Sequence, residues 1–101
     1  MMIPRGCTVQ NTFTFPFESA EVEALYITYV QLGSVVFEKT LADCLIGGGV
    51  LTTDLSQEDT LKLLTGQKIQ IQIRVRLTDG RATKSNILET KTDNVLKEGV
   101  V

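Results

Sequence analysis

Carboxylates are the first groups to test for chemistry. Glu18, Glu21 and Glu23 fall within six residues. Two carboxylates in unlike surroundings can divide general-acid and general-base work between them. These three flank a turn that begins at Glu18-Ser19, and no nucleophile or oxyanion donor accompanies them, so a solvated turn accounts for them. Asp54, Glu58 and Asp59 form the second acidic set. A calcium loop needs acidic groups at alternate positions, a central glycine and a closing glutamate, and that order is absent. Ser56 with Asp59 three residues on reads instead as the cap of a short helix. Gly47-Gly48-Gly49 invites comparison with a phosphate cradle, which requires a following helix and a lysine at a fixed offset. The run Val50-Leu51-Thr52-Thr53 that follows is strand-like and has no lysine, which leaves a loop. Histidine is absent. That excludes Ser-His-Asp and Cys-His catalysis and any Cys/His zinc site. Cys7 and Cys44 lack C-x-x-C spacing. They are expected to be free thiols acting as small apolar residues, although a pairing is open in principle. The expectation is a chain with no catalytic residue, no cofactor and no metal.

The elements that would position any site are mostly strands. From Lys68 to Thr78, Ile69, Ile71, Ile73, Val75 and Leu77 alternate with Gln70, Gln72, Arg74 and Arg76. Strict period-two alternation places the apolar set on one face of a strand. Asp79-Gly80 then marks a hairpin turn. A two-residue turn sets Leu77 opposite Ala82 and Ile71 opposite Leu88, with a bulge near Ser85-Asn86 in the less regular return strand. Earlier, Val9, Phe13, Phe15 and Phe17 share one parity of a strand that Pro16 helps to end. Val22 to Leu32 is rich in β-branched and aromatic residues, Gly33-Ser34 is the next turn, and Val35 to Leu41 the next strand. The helix opened by Ser56 points Leu61 and Leu64 inward and stops at Gly66.

Turn signals about every ten residues, six or seven short strands and one short helix predict an all-β fold. The architecture is an antiparallel two-layer sandwich of immunoglobulin-like type, without the Cys…Trp…Cys signature. The length of 101 residues fits one domain. The expected organisation is an extended N-terminal arm over 1–6, the sandwich over 7–93 and a C-terminal arm over 94–101, the arms ordering against a partner.

Function then rests on surface. Ten Lys and Arg stand against twelve Asp and Glu, a net charge of −2, which argues against nucleic-acid binding. No apolar run approaches the ~18 residues of a membrane span, and the first residues lack the apolar segment of a signal peptide. The expected location is the cytoplasm, or outside it by a route that needs no signal, without membrane attachment. Arg74 and Arg76 suit a wet, polar contact. Tyr26 and Tyr29 lie on opposite faces of one strand, and the outward one can anchor a partner. Ile3, Pro4 and Arg5, in the arm, complete the candidate interface.

Several stretches together carry a resemblance: Pro4-Arg5-Gly6, Phe13 to Phe17, Gln57 to Leu61, Ile71 to Val75 with Thr78-Asp79-Gly80, and Ser85-Asn86-Ile87. The chain resembles small β-sandwich proteins from structural modules of tailed phages and prophages of Gram-positive gut bacteria. The resemblance spans roughly residues 3–95 and carries over no active residue. It implies a virion part assembled in the host cytoplasm, such as a head decoration, a neck or tail component, or a fibre or baseplate adaptor. Its partners would be other virion proteins and copies of itself in a homo-oligomer. The competing expectation is a monomeric module that binds a host protein.

Overall fold

The computed structural model describes residues 2–93, 97 and 99–101. Nine strands lie among them: β1 (Met2–Pro4), β2 (Val9–Thr14), β3 (Val22–Gln31), β4 (Ser34–Thr40), β5 (Cys44–Gly47), β6 (Val50–Leu55), β7 (Lys68–Leu77), β8 (Ala82–Lys84) and β9 (Leu88–Asp93). One helix, α1 (Gln57–Leu61), follows β6. The first sheet has the order β1-β9-β7-β3-β4, with β8 also on β7, and the second has the order β2-β6-β5. Lettered along the chain as A, B, C, C′, D, E, F and G, with β8 and β9 sharing G, these become G-F-C-C′ facing B-E-D. That is the immunoglobulin-like sandwich, with C′ added to the G-F-C sheet. The chain is all-β as expected, and the strand count exceeds six or seven. The additions are β1, the short β5, and the division of the return strand in two.

The alternation of β7 is realised in full. Ile69, Ile71, Ile73, Val75 and Leu77 are buried. They meet Leu25, Ile27 and Tyr29 of the adjacent β3, and Phe13, Phe15, Leu51 and Leu55 of the second sheet complete the core. Phe17, expected beside them, is only half-buried. It lies past Pro16, where the strand has ended, and packs edge-on against Phe15 at 5.5 Å. Tyr29 stacks on Phe37 of β4 at 4.4 Å between ring centres. Its hydroxyl donates to Asn11 Oδ1 of β2 at 2.7 Å. This buried hydrogen bond ties one sheet to the other where an antibody domain uses its disulfide and tryptophan. Cys7 and Cys44 are both free, but only Cys44 is partly buried against the core; Cys7 is exposed and does not act as the small apolar core residue expected.

The 1–6 arm is corrected. β1 pairs in parallel with β9, setting Ile3 beside Thr92, and Ile3 is 0% exposed. Met2–Pro4 is a strand of the domain's own sheet, because burying Ile3 removes a large apolar surface from water. Half of the 94–101 arm, residues 94–96 and 98, lies outside the described residues. At its end, the Val101 N–H donates to Gln57 Oε1 of α1 at 2.8 Å.

The hairpin after β7 also differs. Arg76, not Leu77, faces Ala82. The loop has three residues: Gly80 N–H bonds Leu77 O at 2.9 Å, and Leu77 N–H bonds Arg81 O at 2.8 Å. Gly80 takes φ +92°, the left-handed position of a type I turn with a glycine bulge. Asp79 Oδ1 accepts the Arg81 N–H at 3.0 Å and holds that turn. The bulge expected near Ser85 is present. Between β8 and β9 the register slips by one, so that Ile71 does face Leu88. Ser85 fills the gap: its N–H bonds Ile73 O at 2.8 Å, and its Oγ accepts the Ile73 N–H at 3.0 Å.

At α1, Ser56 Oγ accepts the Asp59 N–H at 3.1 Å and Asp59 Oδ2 accepts the Ser56 N–H at 2.9 Å, the reciprocal cap that the sequence indicates. The inward leucine is Leu63, however, while Leu64 is exposed and Leu61 half-buried. The helix ends at Leu61, so helical spacing does not reach Leu64. The segment beyond is held by buried Gln31, whose Oε1 accepts the Leu64 N–H at 2.7 Å. Thr92 Oγ1 donates to Leu64 O at 2.6 Å.

The β3–β4 turn is Leu32-Gly33, one residue earlier than expected, with Gln31 opposite Ser34. Leu32 has φ +51° and is 71% exposed. A left-handed backbone costs a leucine about 1–2 kcal/mol, and asparagine tolerates it better. Leu32→Asn creates the Asn-Gly pair that favours this turn. It is expected to stabilise the domain by about 0.5–1 kcal/mol and so raise the melting temperature by several degrees. An unchanged or lower melting temperature in a calorimetric scan would refute that account of the turn.

Candidate interaction surface

The central strands β3 and β7 position the surface residues. Their polar sides form the outer face of the first sheet. In register, Tyr26 of β3 faces Arg74 of β7, and Arg74 in turn faces Lys84 of β8. Arg76 lies one position on in that alternating row, between Ala24 and Ala82. Of the candidate interface residues, Tyr26, Arg74 and Arg76 are thus brought together around a shallow depression floored by the two alanines. Tyr26 is 47% exposed. Lys84 of β8 belongs to the same row. Strand register places it there, and no local pattern shows this.

The remaining candidates serve the fold. Ile3 and Tyr29 are both 0% exposed and lie in the core, so neither can meet a partner. Parity correctly predicted that only one tyrosine would face out. Pro4 is half-buried in β1, and Arg5 Nε donates to Leu63 O at 2.9 Å, pinning the segment after α1.

The charges of the patch are unequal in their surroundings. Arg76 Nε lies 3.3 Å from Glu23 Oε2. Arg81 pairs with Asp79 at 2.7 Å inside its own turn, and the hydrogen bonds from Arg81 hold the Asp79 carboxyl below the usual carboxylate range. Arg74 and Lys84 form no ion pair among the described residues. Like charges directly opposite on adjacent strands are destabilising. The hairpin therefore carries a small electrostatic cost beside an exposed tyrosine, and the fold draws no benefit from it.

Most of the acidic residues have structural partners. Glu21 Oε1 accepts the Glu18 N–H at 3.0 Å, and Glu23 pairs with Arg76. Asp54 Oδ1 accepts from Gln10 at 3.3 Å. Asp59 receives Lys39 Nζ at 2.7 Å, a largely sheltered pair joining α1 to β4. Burial opposes ionisation of Asp59, but Lys39 and the Ser56 N–H outweigh it and hold the carboxyl below its ordinary range. That contribution to stability is present above the ordinary carboxyl pKa and is lost as pH falls through the depressed one. The groove beside this pair, lined by Thr8, Val9, Gln10 and Leu55, is wide open to solvent. Burial pushes the Cys44 thiol up, Asp43 adding to this while Thr53 and Lys39 oppose it, the opposite of an activated nucleophile. Of the three glycines, Gly47 ends β5 opposite Val50, and Gly48-Gly49 is a two-residue hairpin turn at φ +61° and +79°. Among the described residues no three His, Cys, Asp or Glu side chains come together to hold a metal ion. No helix among them is long and apolar enough to cross a membrane.

No family model matches this chain, and no curated protein is significantly similar to it. Among solved structures, it is similar to the V domain of amphioxus IgVJ-C2, at 10% identity and a TM-score of 0.36, over 92% of this chain and 99% of that one.

Proposed function

We propose that the protein is a non-enzymatic assembly component that works through protein–protein contact. The proposed setting is the one its sequence resemblance implies, a structural part of a tailed-phage virion, made in the host cytoplasm and present in many copies. The observation that carries the reading is the Tyr26–Arg74–Lys84 row. An exposed aromatic and an arginine sit on the two central strands, where the backbone is held rigidly on both sides, with Lys84 beside them on the edge strand β8, and neither cation has an ion pair among the described residues. Aromatic and arginine side chains on a rigid support are the usual anchors of an interface, and unpaired cations suit an acidic partner surface.

Lys84→Glu separates the proposal from a purely structural role. It replaces a like-charge pair with an opposite-charge pair, and is expected to stabilise the isolated domain by about 0.5–1 kcal/mol. The same change should lower incorporation into purified particles, measured by quantitative mass spectrometry. A variant that is more stable and still incorporated at the wild-type level would remove this face from the assembly. Wild-type protein absent from particles would favour the host-protein module instead.

A further inference from the structure

The open edge of β2 offers a second contact, which rests on the reading of the chain as an assembly protein. We propose that β2 pairs antiparallel with β2 of a second copy, joining two three-stranded sheets into one of six.

β2 pairs only with β6 among the described residues. Phe15 N–H bonds Gly49 O at 2.8 Å, and Phe15 continues the β2–β6 register. Antiparallel main-chain bonds alternate, so Val9, Asn11 and Phe13 also turn their N–H and C=O toward β6. Those of Gln10, Thr12 and Thr14 point away, along the unpaired edge. Such an edge is a template for another strand unless it is short, charged, bulged or interrupted by proline. β2 has none of these defences. It runs six residues with an unbroken register, and no residue from Gly6 to Phe17 is charged. The other edges are defended: β4 by Glu38 and Lys39, β1 by Pro4 and its three residues, β8 by Lys84 and its three residues, and β5 by its length of four.

The neutral edge selects a like partner, because two copies meet without repulsion. The alternation, with full overlap of the edge, selects the register. Outward-bonding residues must face one another, and the register that pairs all three is centred on Thr12, so that Thr12 of one copy faces Thr12 of the other and Gln10 faces Thr14. Threonines opposite one another are favourable cross-strand neighbours. At the end of the edge the sandwich opens into a cleft lined by Thr14, Phe15, Phe17, Ile73 and Val75, with Lys84 of β8 on its far side, and the partner strand would run past its mouth.

Sedimentation equilibrium on the full chain tests this, with circular dichroism to confirm folding. Gln10 and Thr14 are exposed, so variants there retain the fold. Wild type is expected to dimerise. Gln10→Lys/Thr14→Lys sets like charges opposite one another twice across the two-fold axis and should weaken the dimer about tenfold. Gln10→Lys/Thr14→Glu sets opposite charges there and should restore it. A dimer indifferent to both variants overturns the β2 contact and leaves the assembly reading intact. A wild-type monomer in solution also overturns it, and incorporation into particles then judges the assembly reading alone.

Discussion

Replacing Ile73 with alanine is expected to cost about 2–5 kcal/mol of stability, against a total of roughly 5–15 kcal/mol for a domain of this size. Ile73 sits in the middle of β7 and faces Ile27 of β3, with the second sheet packed over both. The truncation removes the transfer energy of the lost methyl and methylene groups. It also leaves a void that the two flanking strands and the opposite sheet are too constrained to fill. Urea denaturation should show the midpoint falling sharply with the slope nearly unchanged. Arg74→Ala, one residue on but facing solvent, is the control and should move stability by no more than about 0.5 kcal/mol. Equal losses at both positions would contradict the division of β7 into a core face and a surface face.

Removing the Tyr29 hydroxyl is the second large effect. In Tyr29→Phe the ring and its stacking on Phe37 survive, but Asn11 Oδ1 loses the donor it accepts from. The expected cost is about 1–3 kcal/mol. The same hydroxyl sets an alkaline limit. Burial, with Cys44 and Asp59 adding to it, pushes the Tyr29 phenol far above its ordinary value of 10.0. The unfolded chain therefore releases this proton at lower pH than the folded one. Stability from this group is whole below about pH 10 and falls above it, by up to about 1.4 kcal/mol per pH unit, until the folded phenol itself ionises. Tyr29→Phe should be less stable at neutral pH and yet lose less on going from pH 9 to pH 11. Parallel denaturation curves for the two proteins across that range would show that the phenol is not sheltered.

Sequence pattern reveals an element when one face of it is dry and the other wet. β7 meets that condition along its whole length, and its alternation reads directly as burial. The cap at Ser56 and Asp59 is equally legible, because capping chemistry is local. β1 is not: three residues with a proline have no period to detect, and the partner strand lies at the far end of the chain. Leu63 and Leu64 exchange roles because a five-residue helix ends before its spacing can be extrapolated. One surface anchor, Arg74, is visible in sequence as an outward residue, while for Tyr26 the pattern shows only that it and Tyr29 face opposite ways. That Tyr26 and Arg74 adjoin each other and Lys84 follows only from strand register, which depends on a three-residue turn and a one-residue slip at Ser85. Tyr29 could be placed indoors or outdoors by parity alone. Its bond to Asn11, on the other sheet, lies beyond any local signal.

The parallel pairing of β1 with β9 has a kinetic consequence. Ile3 and Thr92 become neighbours only when the chain has been synthesised through β9, since they lie at opposite ends of the domain. On the ribosome the first strand must therefore wait, its isoleucine uncovered, while the hairpins between form and collapse. Closing so long a loop comes late and slows folding. The unfinished intermediate, with an unfilled seat beside the last strand, would be the species most exposed to misassociation during high-level synthesis.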